Sequence, residues 1–176
     1  MRGAACRALY RDHTALFQTA PGSSANHQAW PGGYHDHVVE TMNVGLVLHD
    51  ALSACRPLPF TRSDVLLVLF LHDVEKPWKY EIREGVLQPI ADLASKSAQR
   101  AFRAEKLAEY GIRLTTEQAN ALRYVECEGA DYSRERRVMQ PLAALCHMAD
   151  VASARLWPEH PLAHDDPWIG AHRVRT

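Results

Sequence analysis

Ten of the 176 residues are histidine, as many as tyrosine and phenylalanine together. Imidazole binds metals and moves protons near neutral pH, so the placement of these ten carries the chemistry. Histidine sits beside aspartate in His35-Asp36-His37, His49-Asp50 and His72-Asp73, among other places. The last closes the longest uninterrupted apolar run in the chain, Val65-Leu66-Leu67-Val68-Leu69-Phe70-Leu71. Two ionisable groups at the end of a buried run are costly unless something satisfies them. A divalent metal does so, taking neutral imidazole nitrogen and carboxylate oxygen as ligands.

The apolar spacing that must position these groups is helical nearly throughout. It predicts helices over about 4–18 and 34–53, separated by the Pro21-Gly22-Ser23-Ser24 and Pro31-Gly32-Gly33 breaks. Ser63 is the expected N-cap of a short buried helix reaching about His72, with Lys76-Pro77 ending that region. Tyr80 to Leu87 reads as a small hairpin turning at Glu84-Gly85. A helix over about 92–109 stops at Gly111, Thr115-x-x-Gln118 opens another to about 126, and Pro141 begins a last one to about 155. Pro158, Pro161 and Pro167 make the tail from 157 to 176 irregular. The expected fold class is all-α, a compact bundle of about six helices in a single domain.

Composition narrows the function. Lys+Arg is 20 against Asp+Glu 21, which removes the electrostatic reason to expect general nucleic-acid binding but leaves room for a small phosphorylated ligand. The longest apolar run is far shorter than the roughly 20 residues a bilayer span needs, and Arg2, Arg7 and Arg11 interrupt any secretory h-region. Cys6, Cys55, Cys127 and Cys146 are widely spaced, which reads as reduced thiols in a cytoplasmic protein.

Gly32-Gly33-Tyr34-His35-Asp36-His37, then Leu71-His72-Asp73-Val74-Glu75-Lys76, then His147-Met148-Ala149-Asp150 resembles the HD-domain metal-dependent phosphohydrolase superfamily. The lead-in His27-Gln28-Ala29-Trp30-Pro31-Gly32-Gly33 and the stretch from Glu105 to Thr115 look like a phage and bacterial branch of small members. The resemblance covers residues 23–155, and implies an HD-type helical bundle. It implies His37, His72, Asp73 and Asp150 as ligands to one divalent ion, whether Mn, Co, Mg, Fe, Ni or Zn. His37 is preferred to His35 because the family ligand follows the Gly-Gly by a few residues and begins the apolar helix. His35 and His147 remain alternatives for a place beside the ligands. His49 reads as a C-terminal cap of its helix, and His160, His164 and His172 as exposed tail residues.

Two-metal members of the superfamily draw further histidines from the interval between the His-Asp pair and the last aspartate. Here that interval, from 73 to 146, contains none, and its carboxylates Glu126 and Glu128 read as solvated residues at a helix end. A mononuclear site is the expectation. The implied chemistry is attack of metal-activated water on phosphorus, with Asp73 orienting or deprotonating the water. Lys76 matches the family's His-Asp-x-x-Lys form and is the candidate phosphate contact. Glu75 is a candidate general acid, and His27, Trp78 and Lys79 are candidate substrate contacts.

The leading reading is hydrolysis of a (deoxy)nucleoside mono- or triphosphate. The alternatives are a phosphodiesterase acting on a cyclic nucleotide or short oligonucleotide, and a non-catalytic HD module that binds a nucleotide or protein. Small members of the superfamily are often dimeric or larger, so a homo-oligomer is compatible with the resemblance.

Overall fold

The computed structural model of the protein describes residues 2–83 and 86–170. Among the described residues the chain is all-helical apart from one two-stranded hairpin, as the spacing predicts. In order it forms α1 (Arg2–Asp12), α2 (Thr14–Thr19), α3 (Gly33–Cys55), α4 (Arg62–Leu71), the single turn α5 (Lys76–Lys79), β1 (Tyr80–Arg83), β2 (Val86–Pro89), α6 (Lys96–Glu109), α7 (Thr116–Tyr124) and α8 (Pro141–Leu156). No described helix is long and apolar enough to cross a membrane. His172 and the Glu84-Gly85 turn lie outside the described residues.

The ends of these helices follow local chemistry. α4 begins not at Ser63 but with Thr61 as N-cap, because Asp64 completes a reciprocal capping box with it: Asp64 N–H donates to the Thr61 hydroxyl and the Asp64 carboxylate accepts from Thr61 N–H. α7 has the predicted box between Thr115 and Gln118, but ends at Tyr124. α6 starts late, capped by Ser95 after a 3₁₀ turn at Ala91–Leu93. It ends on Gly111 (φ +63), where Ile112 N–H donates to the Leu107 carbonyl at 2.8 Å and Gly111 N–H to that of Ala108 at 3.0 Å. That pair of bonds is the Schellman arrangement. The predicted first helix breaks in two at His13, where the Thr14 hydroxyl takes the Tyr10 carbonyl at 2.8 Å. Pro77 opens a helical turn instead of ending one, since a ring at the second position displaces no intrahelical bond.

α3 is the central element, packed along α8 and α4. One apolar cluster joins α4, α7 and α8 through Val65, Leu69, Ala121, Leu142, Leu145 and Ala149. A second joins the N-terminal helices to α3 and α6 through Leu9, Phe17, Tyr34, Leu71, Val74 and Leu107. The α3–α4 approach is close enough to require glycine: a Cβ at Gly45 would stand 2.5 Å from Leu69 Cδ1 and 2.9 Å from Val65 Cγ1. Overpacking of this kind costs about 1–3 kcal/mol. Gly45→Val is therefore expected to lower unfolding free energy by about 2–3 kcal/mol, measured as a fall in the urea midpoint at unchanged slope.

Candidate metal centre

Three helices and one turn meet where the two apolar clusters adjoin. His37 lies in the second turn of α3, whose start is fixed by Gly32 at φ 81. His72 caps the C-terminus of α4, and Asp73 follows in the turn that leads to Lys76. Asp150 projects from the middle of α8. His37 and His72 are fully buried and Asp73 nearly so, while the Asp150 side chain keeps 18% of its exposure.

The ligand atoms of His37, His72 and Asp150 all lie within 4.8 Å of one another, the spacing a metal ion needs. His37 Nε2 stands 3.1 Å from His72 Nε2 and 3.1 Å from Asp150 Oδ1, and His72 Nε2 is 3.6 Å from the same oxygen. Asp73 Oδ2 adjoins both rings, at 3.4 Å from His37 Nε2 and 3.3 Å from His72 Nε2, and also holds Lys76 Nζ at 2.6 Å. The far side of each ring decides which nitrogen carries hydrogen. His72 Nδ1 meets the Leu69 carbonyl at 2.6 Å, an acceptor only, so Nδ1–H donates and Nε2 of the neutral ring keeps a lone pair. His37 Nδ1 meets Ser153 Oγ at 3.0 Å, and that hydroxyl donates to Glu40 Oε2 at 2.7 Å, which leaves its lone pairs for His37. Two neutral rings so oriented aim two Nε2 lone pairs at each other between two carboxylates. A cation resolves that arrangement, and a donor set of two nitrogens and two oxygens suits a divalent one.

The electrostatics carry the same demand. Burial alone would raise the Asp73 carboxyl, but Lys76 and His72 outweigh it and hold it well below the usual range. Asp150 is likewise lowered, by His37 and His72 against burial. Burial opposes charge on His72, yet Asp73 and Asp150 overcome it and raise the ring to about 10. Two carboxylates against one ammonium leave a surplus negative charge, and without a metal a proton on His72 fills it.

Not every predicted residue reaches this point. Glu75 does not serve as an acid at the cluster: Arg103 of α6 takes both its oxygens, at 3.1 and 3.0 Å, in a buried ion pair. Trp78 follows Lys76 by two residues on a helical turn, which directs it to the opposite side. Its indole packs in the second core, with His13 at 4.8 Å and Phe102 at 5.3 Å between ring centres and Lys106 Nζ over it. Lys79 sets its ammonium 5.4 Å from the Tyr80 ring centre, on the hairpin. His147 is not among the residues that meet at the cluster, and its Nδ1 bonds the Val125 carbonyl at 2.7 Å. His35 lies on the other face of α3, lining a cavity of about 440 Å³ with Val38 and Phe70. Glu126 pairs with Lys96, and Glu128 accepts from the N–H groups of Val138 and Met139. His27 does approach, its ring centre 5.3 Å from that of His37, and burial and the nearby Lys76 lower its pKa.

Glu40, Ser153, Gln28 and Arg103 were not legible as site residues. Their only signal is spacing, because Glu40 follows His37 by three residues on α3 and Ser153 follows Asp150 by three on α8. No protein-family model, curated protein or solved structure matches the chain. The geometry of the cluster is therefore what any function has to be argued from.

The His72 value fixes the sign of two pH effects. Its pKa is raised above the unfolded value near 6.5, so its contribution to metal-free stability is full below about 6.5 and lost as pH rises through about 10. A metal must displace that proton. At pH 8, titration with Mn²⁺ in weak buffer is expected to release close to one proton per ion bound, followed by a pH indicator dye; proton-neutral binding would contradict the His72 assignment.

Proposed function

We propose that the protein is a metal-dependent phosphohydrolase of HD type, acting on a small nucleotide such as a (deoxy)nucleoside mono- or triphosphate. The observation that carries this reading is the convergence of His37, His72, Asp73 and Asp150, with the Lys76 ammonium 2.6 Å from Asp73. These four residues would hold one divalent ion. When bound, such an ion neutralises charge on phosphoryl oxygens and acidifies water.

The chain's own groups supply the remainder. The Lys76 ammonium has three donors, of which Asp73 takes one, so the others can meet a phosphoryl oxygen. Positive charge held in a partly water-excluded site stabilises phosphoryl transfer more than the same charge in water. In hydrolysis, water forms a new bond to phosphorus as the bond to the leaving oxygen breaks, and a water proton ends on the leaving group. Asp73, between Lys76 and the imidazoles, orients the water. His27, neutral because its pKa is lowered, is the nearest further imidazole that could carry the proton outward. Asp150, with 18% of its side chain exposed, is the side from which a small anion would reach the cluster, and a chain without excess basic charge suits a small substrate better than a polymer.

The test is turnover by metal-loaded protein offered mono-, tri- and cyclic nucleotides, with phosphate, pyrophosphate and triphosphate resolved as products. Phosphate or triphosphate release from one of them is expected; stoichiometric metal with no turnover on any would favour a binding module instead. Asp73→Ala is expected to abolish both metal binding and turnover. Lys76→Ala should retain the metal while turnover falls roughly 10²–10³-fold, the scale of losing one electrostatic contact to the reacting group.

A further inference from the structure

The segment His27-Gln28-Ala29-Trp30-Pro31-Gly32-Gly33 contributes no ligand to the cluster, yet it is built around one side chain aimed there. Gln28 is fully buried with φ 44, a left-handed backbone that a non-glycine residue rarely adopts. Its carbonyl accepts from Gly22 N–H at 2.8 Å, and its N–H donates to the Pro158 carbonyl at 2.9 Å. A Cβ at Gly33 would sit 1.9 Å from the Gln28 carbonyl oxygen, and one at Gly22 would sit 2.9 Å from Gln28 Cβ. Two glycines and an unfavourable backbone thus serve to seat a single amide.

That amide spans two parts of the site. Its Nε2 donates to the Ser153 carbonyl at 3.1 Å and to Glu40 Oε2 at 3.3 Å, while its Oε1 accepts from His27 Nδ1. Glu40 Oε2 also accepts the Ser153 hydroxyl at 2.7 Å, and Ser153 Oγ is the partner of His37 Nδ1 at 3.0 Å. Hydrogen bonds therefore run without a gap from His27 through Gln28, Glu40 and Ser153 to His37. Each imidazole is engaged at Nδ1, which leaves its Nε2 with a lone pair.

We infer that Gln28, Glu40 and Ser153 are positioning residues that fix His37 as an Nε2 metal ligand and tie His27 to it. The inference rests on the metal-site reading proposed above. A serine hydroxyl alone can rotate to donate to His37 or accept from it. Ionised, the Glu40 carboxylate only accepts and so makes the hydroxyl accept from His37, and Gln28 holds Glu40 in place from the other side. Outer partners of this type commonly set metal affinity by about 10–100-fold.

The experiment uses Co²⁺ alone, whose visible absorption reports ligand geometry and whose titration reports affinity, on the full chain. Ser153→Ala is expected to weaken Co²⁺ binding about 10–100-fold and to alter the spectrum, with helical content unchanged. Ser153→Thr, which keeps the hydroxyl, should recover most of the affinity and the wild-type spectrum. Should Ser153→Ala fail to fold, Glu40→Gln decides on the same two readouts. Wild-type affinity and spectrum in the folded Ala or Gln variant, or a folded Thr variant as weak as Ala, would overturn the positioning role and leave the metal site standing. Absence of Co²⁺ binding by the wild-type protein would overturn the metal site and the inference with it.

Discussion

Two imidazole nitrogens 3.1 Å apart, flanked by two carboxylates and shut away from water, form a point that needs positive charge. The rest of the structure is arranged around that need. α3, α4 and α8 bring His37, His72 and Asp150 together, three residues that could hold a metal ion, and the turn after α4 sets Asp73 beside them. The apolar clusters on either side keep the helices from relaxing apart. Buried charges of one sign are tolerated only when compensated. Lys76 compensates part of the surplus from within the chain, and the remainder is left to a proton or an ion.

The ion pair of Glu75 with Arg103 shows how close chemistry and architecture lie in this turn. Asp73, Glu75 and Lys76 fall within four residues, all buried or nearly so, yet they face different partners. Asp73 and Lys76 meet at the cluster, whereas Glu75 reaches outward to clasp α6. Removing one partner of such a buried pair costs about 3–5 kcal/mol. The turn is thereby anchored on the side away from the ligands, and Asp73 is not free to swing out. Trp78 strengthens the same anchor through its ring contacts with His13, with Phe17 of α2 and with Phe102 of α6.

Secondary structure was largely legible because it follows from local rules. Apolar spacing marked α3, α4, α6, α7 and α8, and the Thr115–Gln118 box and Gly111 stop stood in the residues themselves. The differences also have local causes. Asp64 completed a cap with Thr61 that the serine at 63 seemed to offer, and the Thr14 hydroxyl broke a helix that the apolar spacing alone would continue. The candidate ligands His37, His72, Asp73 and Asp150 could be nominated through the resemblance that their order carries. Their neighbours could not: nothing in the alternation of types says that Glu75 faces Arg103, twenty-eight residues away, or that Ser153 meets His37 from another helix.

The sequence by itself determined an all-helical chain, because helix periodicity is a property of short segments, while its resemblance to a known superfamily nominated the candidate ligands. Only the tertiary structure decided that the ligands converge, that Glu75, Trp78 and Lys79 point elsewhere, and that Gln28 links His27 to His37. Convergence depends on how helices cross, and tautomer choice depends on what lies behind each ring. Both are set by packing between segments far apart in the chain, where spacing along it carries no information.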